Sequence, residues 1–386
     1  MMLPAAVSLG LLLAAGEVRW AAGVQSEARG RSEPGGDSRT GVGELDLHAQ
    51  LGLSSQGADG AAALTYTPSL LLRQVISGAP SGAGNATRQA GRLELQTRLA
   101  PSTRLSSRTV IDWGLTDFSP LSGQVAPVTV GLLPPQRFVR TLGVEMMLDL
   151  AHAFSRRLQL LVTAGMQRGG GLGHEAVSVL PMQVGLQGTA SLTWAADRAS
   201  TLTLRASAAE NRFSIDRSSV LSDVSAGWTV RAAPHTLADA AAGLVFVRTS
   251  GEDVSSTGIY GSGTLGVGWD LPLTPQRALR SSVRLRLTPG VDRFTALAIQ
   301  MVRAEGAVEL AGSRLQVGIS SSEGHAVGGV GAGADDFRLE GRTSWIALRG
   351  WSLEGALSAA RTNQPPFAGW QAQALVGLRW ADRGSF

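Results

Sequence analysis

A period of two runs through this chain from residue 42 to residue 380, and it limits the possible folds more than any other feature. Apolar and polar side chains alternate over about ten residues at a time, with Gly, Pro, Asp and Ser between the runs. In ELDLHAQLGL, Leu45, Leu47, Ala49, Leu51 and Leu53 share one face, while Glu44, Asp46, His48 and Gln50 share the other. In RSSVRLRL, Val283, Leu285 and Leu287 oppose Arg280, Ser282, Arg284 and Arg286. In WQAQALVGLRW, the row Trp370, Ala372, Ala374, Val376, Leu378 and Trp380 opposes Gln371, Gln373, Gly377 and Arg379. Successive side chains of a strand point to opposite faces, so each segment is a strand with one greasy and one wet side. Helical periodicity is nowhere convincing, and no linker marks a second domain.

The connections alternate in length. APSTR, FSRR, AADRAS, AAPHT, PLTPQR and AGSR are short; the stretches near 74–90, 116–136, 168–182, 210–219, 248–258, 322–334 and 362–368 are long and rich in Gly, Ser and Pro. Short turns at one end and long loops at the other describe an up-and-down barrel of outer-membrane type. The aromatic residues follow the same division. Trp194, Trp228, Trp269, Trp345, Trp351 and Trp380 sit beside short connections or at the end of the last segment, on the apolar face. Trp113, Phe246, Tyr260 and Trp370 sit toward the long-loop ends. Amphipathic rings at both ends of a strand are what two membrane interfaces select. A β-sandwich or propeller also alternates, but its strands are shorter and its tryptophans need not sort by turn class.

The expected fold is therefore all-β: a transmembrane, antiparallel up-and-down barrel of 16 to 18 strands. Seventeen alternating segments can be counted. With both ends in the periplasm the strand number must be even, so either one segment is not a strand or one strand is hidden. Pro68, inside the alternating stretch ALTYTPSLLLR, predicts one lost ladder bond or a bulge.

The expected domain limits follow from the flanks. Residues 3–15 are a short apolar run before small residues, which predicts a signal peptide over 1–23, cleaved after Gly16 or Gly23. Residues 24–41 are polar and glycine-rich and read as a flexible periplasmic leader. The barrel is expected over 42–380, with Trp380 as the terminal aromatic and 381–386 as a trailing tail. No later run reaches the ~20 apolar residues of a helical span.

Composition narrows the chemistry. There is no cysteine, which excludes disulfides, thiolate metal sites and a cysteine nucleophile. There is no lysine either, and a net charge of +4 without a basic run argues against a nucleic-acid partner. His48, His152, His174, His235 and His325 are scattered, with no metal-ligand spacing. RGGGLG at 168–173 lacks the strand–loop–helix context of a phosphate loop, and no nucleophile elbow is present. Neither enzyme activity nor a cofactor or metal is expected.

The polar face carries the informative residues. Arg92, Glu94, Arg98, Arg104, Arg108, Asp112, Glu145, Asp149, Arg205, Arg280, Arg284, Arg286, Arg338, Glu340, Arg342, Glu354 and Arg379 are expected to line the lumen. Two readings stay open. Arginine–carboxylate ladders would stiffen the wall; an arginine-weighted passage would favour anions, with Arg280, Arg284 and Arg286 on one strand as its best support.

The segments LTYTPSLLLR, WGLTDFSPL, LSDVSAGW, LTPGVDR and LVGLRWADRGSF give the chain a further likeness. In texture and spacing it resembles outer-membrane β-barrels of myxobacterial type, some of them associated with exopolysaccharide secretion. The resemblance implies the outer membrane of a Gram-negative bacterium and a passive pore, the exit conduit for a polysaccharide. The partners to expect are outer-membrane lipid, the barrel-assembly machinery, a polysaccharide cargo and periplasmic export proteins. The alternatives are a non-conducting structural or adhesion barrel, and a general diffusion porin for small solutes.

Overall fold

The computed structural model describes residues 17–35, 38–77, 85–118, 138–292, 294–329, 332–348, 350–364 and 368–385. The wall begins with β1 (Glu17–Gly35), β2 (Ser38–Gln56), β3 (Gly60–Ser77), β4 (Ala86–Ala100), β5 (Thr103–Asp117) and β6 (Phe138–Ala153). It continues with β7 (Leu158–Gly171), a single-turn helix α1 (His174–Val179), β8 (Gln183–Ala195), β9 (Ser200–Phe213), β10 (Arg217–Ala233) and β11 (Thr236–Gly251). It ends with β12 (Ser255–Thr274), β13 (Arg277–Val291), β14 (Ala298–Gly312), β15 (Leu315–Gly329), β16 (Asp335–Leu348), β17 (Trp351–Thr362) and β18 (Gly369–Ser385). Each strand pairs with its sequence neighbours, and β18 pairs back onto β1, so the 18-stranded sheet is closed.

Closure explains the alternation. Val224, Leu244, Ile259 and Leu357 are 63–71% exposed, all on the outer face. Such a surface would associate in water; against acyl chains it matches its solvent, and a closed sheet leaves no ladder group unpaired there.

The structure corrects both flanks. Residues 24–35 are not a flexible leader: with 17–23 they form β1, in register with β2 from Glu17 opposite Gln56 to Gly35 opposite Ser38. This is the hidden strand that makes the number even. Its outward row, Ser26, Ala28, Gly30 and Ser32, is small rather than leucine-rich, so the hydropathy contrast is muted. At the other end 381–385 is not a tail, because Ala381 to Ser385 pair with Gly23 to Arg19 and continue β18. The apolar run 3–15 and Phe386 lie outside the described residues.

Two smaller points concern backbone chemistry. The β2–β3 pairing is interrupted between His48 opposite Ser69 and Leu51 opposite Tyr66, with the register unchanged across the gap and Pro68, which has no N–H to give, inside it. Arg168–Gly171 belong to β7 rather than to a loop, and α1 adds one turn of helix that no periodicity announced.

Candidate functional site

Register fixes which side chains share the interior. Arg108 meets Glu145 at 2.6 Å, Asp112 accepts from Arg88 at 3.2 Å, and Thr163 donates to Asp149 at 2.6 Å. Arg92 pairs with Glu94 on its own strand. Arg98 donates to the Pro101 carbonyl at 3.3 Å, near the short turn, and lies opposite Arg104. Arg205 stands between Ser191 and Ser225, with Asp223 of β10 on the same face one pair further along. Glu340 takes both Arg338 (2.9 Å) and Arg342. These three share a cavity of about 700 Å³ with Glu354, Arg379, and Glu27 and Arg29 of β1.

The three inward arginines of β13 each have a carboxylate partner. Arg280 faces Asp270 at 3.7 Å, Arg284 faces Asp239 at 3.1 Å and Arg286 faces Glu305 at 3.6 Å. Paired charge of this kind fits the ladder reading better than an anion filter. At 27–63% exposure these groups remain hydrated, so each pair contributes little to stability.

Several of these contacts reach two strands along the wall, and an inward glycine makes that possible. Asp239, Gly266 and Arg284 lie in one row on β11, β12 and β13, and the ion pair passes over the glycine. A Cβ at position 266 would meet Asp239 Oδ1 at 2.5 Å. Arg303 reaches Asp336 at 3.1 Å over Gly324 in the same way. Gln167 reaches Asn211 at 3.2 Å over Gly185, and Gln187 reaches the Met147 sulfur at 3.1 Å over Gly165. Adjacent strands are about 4.8 Å apart, so side chains on next-but-one strands meet most readily where the middle residue has no side chain.

At the long-loop end side chains from non-adjacent strands meet across the interior. On β1, β2 and β3 a desolvated ionic cluster forms: Arg29 meets Asp46 at 3.1 Å, His48 meets Asp46 at 3.0 Å, and Arg31 meets Glu44 at 3.3 Å. Arg73 approaches Glu44 at 3.5 Å, with its guanidinium 5.4 Å from the centre of the Phe138 ring. Arg31 also reaches Asp117 at the end of β5, at 3.2 Å. The next residue, Phe118, packs with Val139, Leu180 and α1, and Phe294 from the β13–β14 turn joins that cluster.

That turn is a rigid piece. Asp292 Oδ2 accepts from the Phe294 and Thr295 N–H groups and from the Thr295 hydroxyl at 3.2, 2.8 and 2.7 Å. Ala296 is fully buried with φ of 59°, a conformation that costs a Cβ-bearing residue about 1 kcal/mol. The turn is tied to the wall through Arg217 to the Thr295 carbonyl (2.6 Å) and Thr249 to the Ala296 carbonyl (3.1 Å). Beneath it Val245, Val247, Ala298, Leu221, Val291 and Tyr260 form an apolar patch on the inner face.

Tyr260 is therefore not an interface ring. It pairs with Val245 and points inward, while its neighbour Ile259 is the outward, 71% exposed residue. Both residues satisfy an alternating pattern at a strand end, and pairing with the buried Val245 sets the phase opposite to the one expected. Trp113, Trp194, Trp228, Trp269, Trp345, Trp351 and Trp370 present exposed rings on the outer face. Trp380 stacks at a tilt on Trp351, 6.4 Å between centres, and Phe337 meets Trp370 edge-on at 5.9 Å. Trp20 on β1, opposite Leu53, joins the short-turn set.

Glu27, Arg29 and Arg31 lie in a segment whose glycine-rich, polar composition reads as a leader, and no sequence pattern marks Asp117. The available signal was charge at period two: Gln25, Glu27, Arg29 and Arg31 alternate as strictly as any leucine row.

A closed antiparallel barrel with an apolar exterior and an ion-paired, hydrated interior defines an outer-membrane β-barrel channel. The chain belongs to the EpsX exopolysaccharide export family, whose family model matches residues 11–382. Among solved structures it is similar to OccAB4 of Acinetobacter baumannii, with TM-score 0.50 and 9% identity over 96% of this chain and 99% of that one. It is also similar to OpdK of Pseudomonas aeruginosa, solved with vanillate, with TM-score 0.49 and 10% identity over 95% and 99% of the two chains. Identities this low speak to the fold alone. No curated protein sequence matches the chain.

Proposed function

We propose that this barrel is the outer-membrane exit for a secreted polysaccharide, a passive conduit and not an enzyme. Membership of an exopolysaccharide export family carries this reading. The wall agrees with it. Across β7 and β8 the interior offers uncharged hydrogen-bonding groups, among them Thr163, Gln167, Gln187, Thr189, Ser191 and Thr193. Elsewhere its charges are largely held in pairs, so a neutral or acidic sugar polymer meets neither a strong trap nor a strong barrier. Outer-membrane lipid, the barrel-assembly machinery and periplasmic export proteins are the partners this role needs, in a Gram-negative cell. The finer likeness to barrels of myxobacterial type rests on the five quoted segments.

Deleting the gene and assaying surface carbohydrate tests the proposal. Loss of extracellular polymer with intracellular accumulation is expected; normal surface polymer would end it. A second reading, a non-conducting structural barrel, is favoured by the Arg31–Asp117 contact and the Phe294 cluster at the mouth. Single-channel recording separates the two, and liposome swelling with small sugars would instead point to a diffusion porin.

A further inference from the structure

The outer face gathers arginines at one place, on β7, β9 and β11. On β7 the outward row ends Val162, Ala164, Met166, then Arg168; on β11 it ends Leu244, Phe246, then Arg248. Between them Arg212 of β9 points outward and is 77% exposed at its side chain. Register puts Arg168 and Arg212 on either side of Val184, which places their Cα atoms about 10 Å apart. Arg248 lies one strand beyond Val220, itself opposite Glu210. Among the described residues Arg168 and Arg248 make no ion pair, and Arg212 has only Glu210, at 2.9 Å.

The patch is local. On β15 to β17, at the same end, the outward groups are Glu323, the His325–Asp335 pair and a single arginine, Arg361, set between Phe337 and Trp370. All three arginines stand where the apolar row stops, at the long-loop end, which in such barrels faces outside. Side chains at that level meet lipid headgroups, and guanidinium groups match phosphate in geometry and charge.

We propose that Arg168, Arg212 and Arg248 form a binding site for the phosphate groups of an outer-leaflet glycolipid. The spacing suits a headgroup that offers more than one phosphate, and nowhere else among the described residues do three outward arginines stand within a few strands of one another.

The test uses the purified full-length barrel in detergent, titrated with lipopolysaccharide and, separately, with dephosphorylated lipopolysaccharide and phosphatidylglycerol. Native mass spectrometry reads the complexes. The triple variant R168Q/R212Q/R248Q is compared with wild type and with R280Q, which changes an arginine on the inner face. Gel heat-modifiability confirms that each barrel is closed; if the triple variant fails to close, the three single variants take its place. Lipopolysaccharide affinity is expected to fall by about a hundredfold in the triple variant, or about fivefold in each single one, and to stay unchanged in R280Q. Equal binding by wild type and the outward variants would overturn the proposal. So would equal binding of the dephosphorylated glycolipid, or phosphatidylglycerol binding as tight as lipopolysaccharide.

Discussion

Arg31 of β1 and Asp117 of β5 meet at 3.2 Å although β2, β3 and β4 separate their strands in the sheet. About 19 Å of wall lies between those strands, so the pair is a chord across the mouth and not a rung of a ladder. Both groups are almost fully removed from water, at 0% and 8% exposure, and Arg31 is shared with Glu44. A buried charge that loses one partner is expensive, about 3–5 kcal/mol when nothing replaces it. Asp117→Asn is therefore expected to lower the unfolding midpoint, by less than that full figure because Glu44 remains. It is also expected to raise single-channel conductance or opening frequency. Unchanged recordings from a correctly closed Asp117→Asn barrel would show that the chord does not limit the passage.

The row Asp239, Gly266 and Arg284 gives a directional prediction for ion selectivity. Removing the base with Arg284→Ala leaves Asp239 alone and should move the reversal potential toward cation preference; Asp239→Asn should move it the other way. Gly266→Ala should weaken the pair without removing either charge, because the new Cβ meets Asp239 Oδ1 at 2.5 Å. Since the three residues share one contact, Gly266→Ala and Asp239→Asn should combine non-additively. Arg286→Ala leaves Glu305 and should follow Arg284→Ala. If no variant shifts the potential measured in a salt gradient, these charges do not face the conducting path.

The turn that carries Phe294 should behave as a fixed lip. Asp292→Ala removes three acceptor contacts inside four residues, at the typical net value of about 1 kcal/mol per hydrogen bond. The expected result is greater open-channel noise and faster proteolysis at the turn, with the barrel intact. Phe294→Ala should widen the mouth while leaving the turn ordered, so conductance should rise without added noise. Identical behaviour of the two variants would mean that packing and turn order are not separable here.

What could be read in advance, and what could not, follows from which side of the wall carried contrast. On β2, β13 and β18 leucine, valine or tryptophan alternate with charge, and both faces are visible in the sequence. On β1 the outward row is Ser26, Ala28, Gly30 and Ser32, so only the inward charges kept the period, and the strand passed for a linker. At strand ends the phase itself is ambiguous, as Tyr260 beside Ile259 shows. The mouth was illegible for a different reason: Asp117, Phe118 and Phe294 act after the alternation has stopped, and no local pattern says that residues 86 positions apart will meet. The glycine rows lie between these cases. Each glycine looks like a gap in the polar face until register puts an arginine on one side and a carboxylate on the other.

The first strand also bears on processing. Cleavage after Gly23 would remove Glu17 to Gly23, which pair with β2 from Gln56 to Gln50 and, from Arg19 onward, with Ser385 to Ala381 of β18. Both neighbours would then present unpaired ladder groups at the short-turn end, where Trp20 also helps to mark the interface; an open edge at the membrane boundary is costly. The mature chain is accordingly expected to begin at or before Glu17, consistent with cleavage after Gly16 and not after Gly23. Intact mass measured on protein extracted from outer membranes decides this directly. A mature N-terminus at Val24 would mean that the barrel closes on a shorter β1, and that the pairing of 19–23 with 381–385 has no part in the assembled channel.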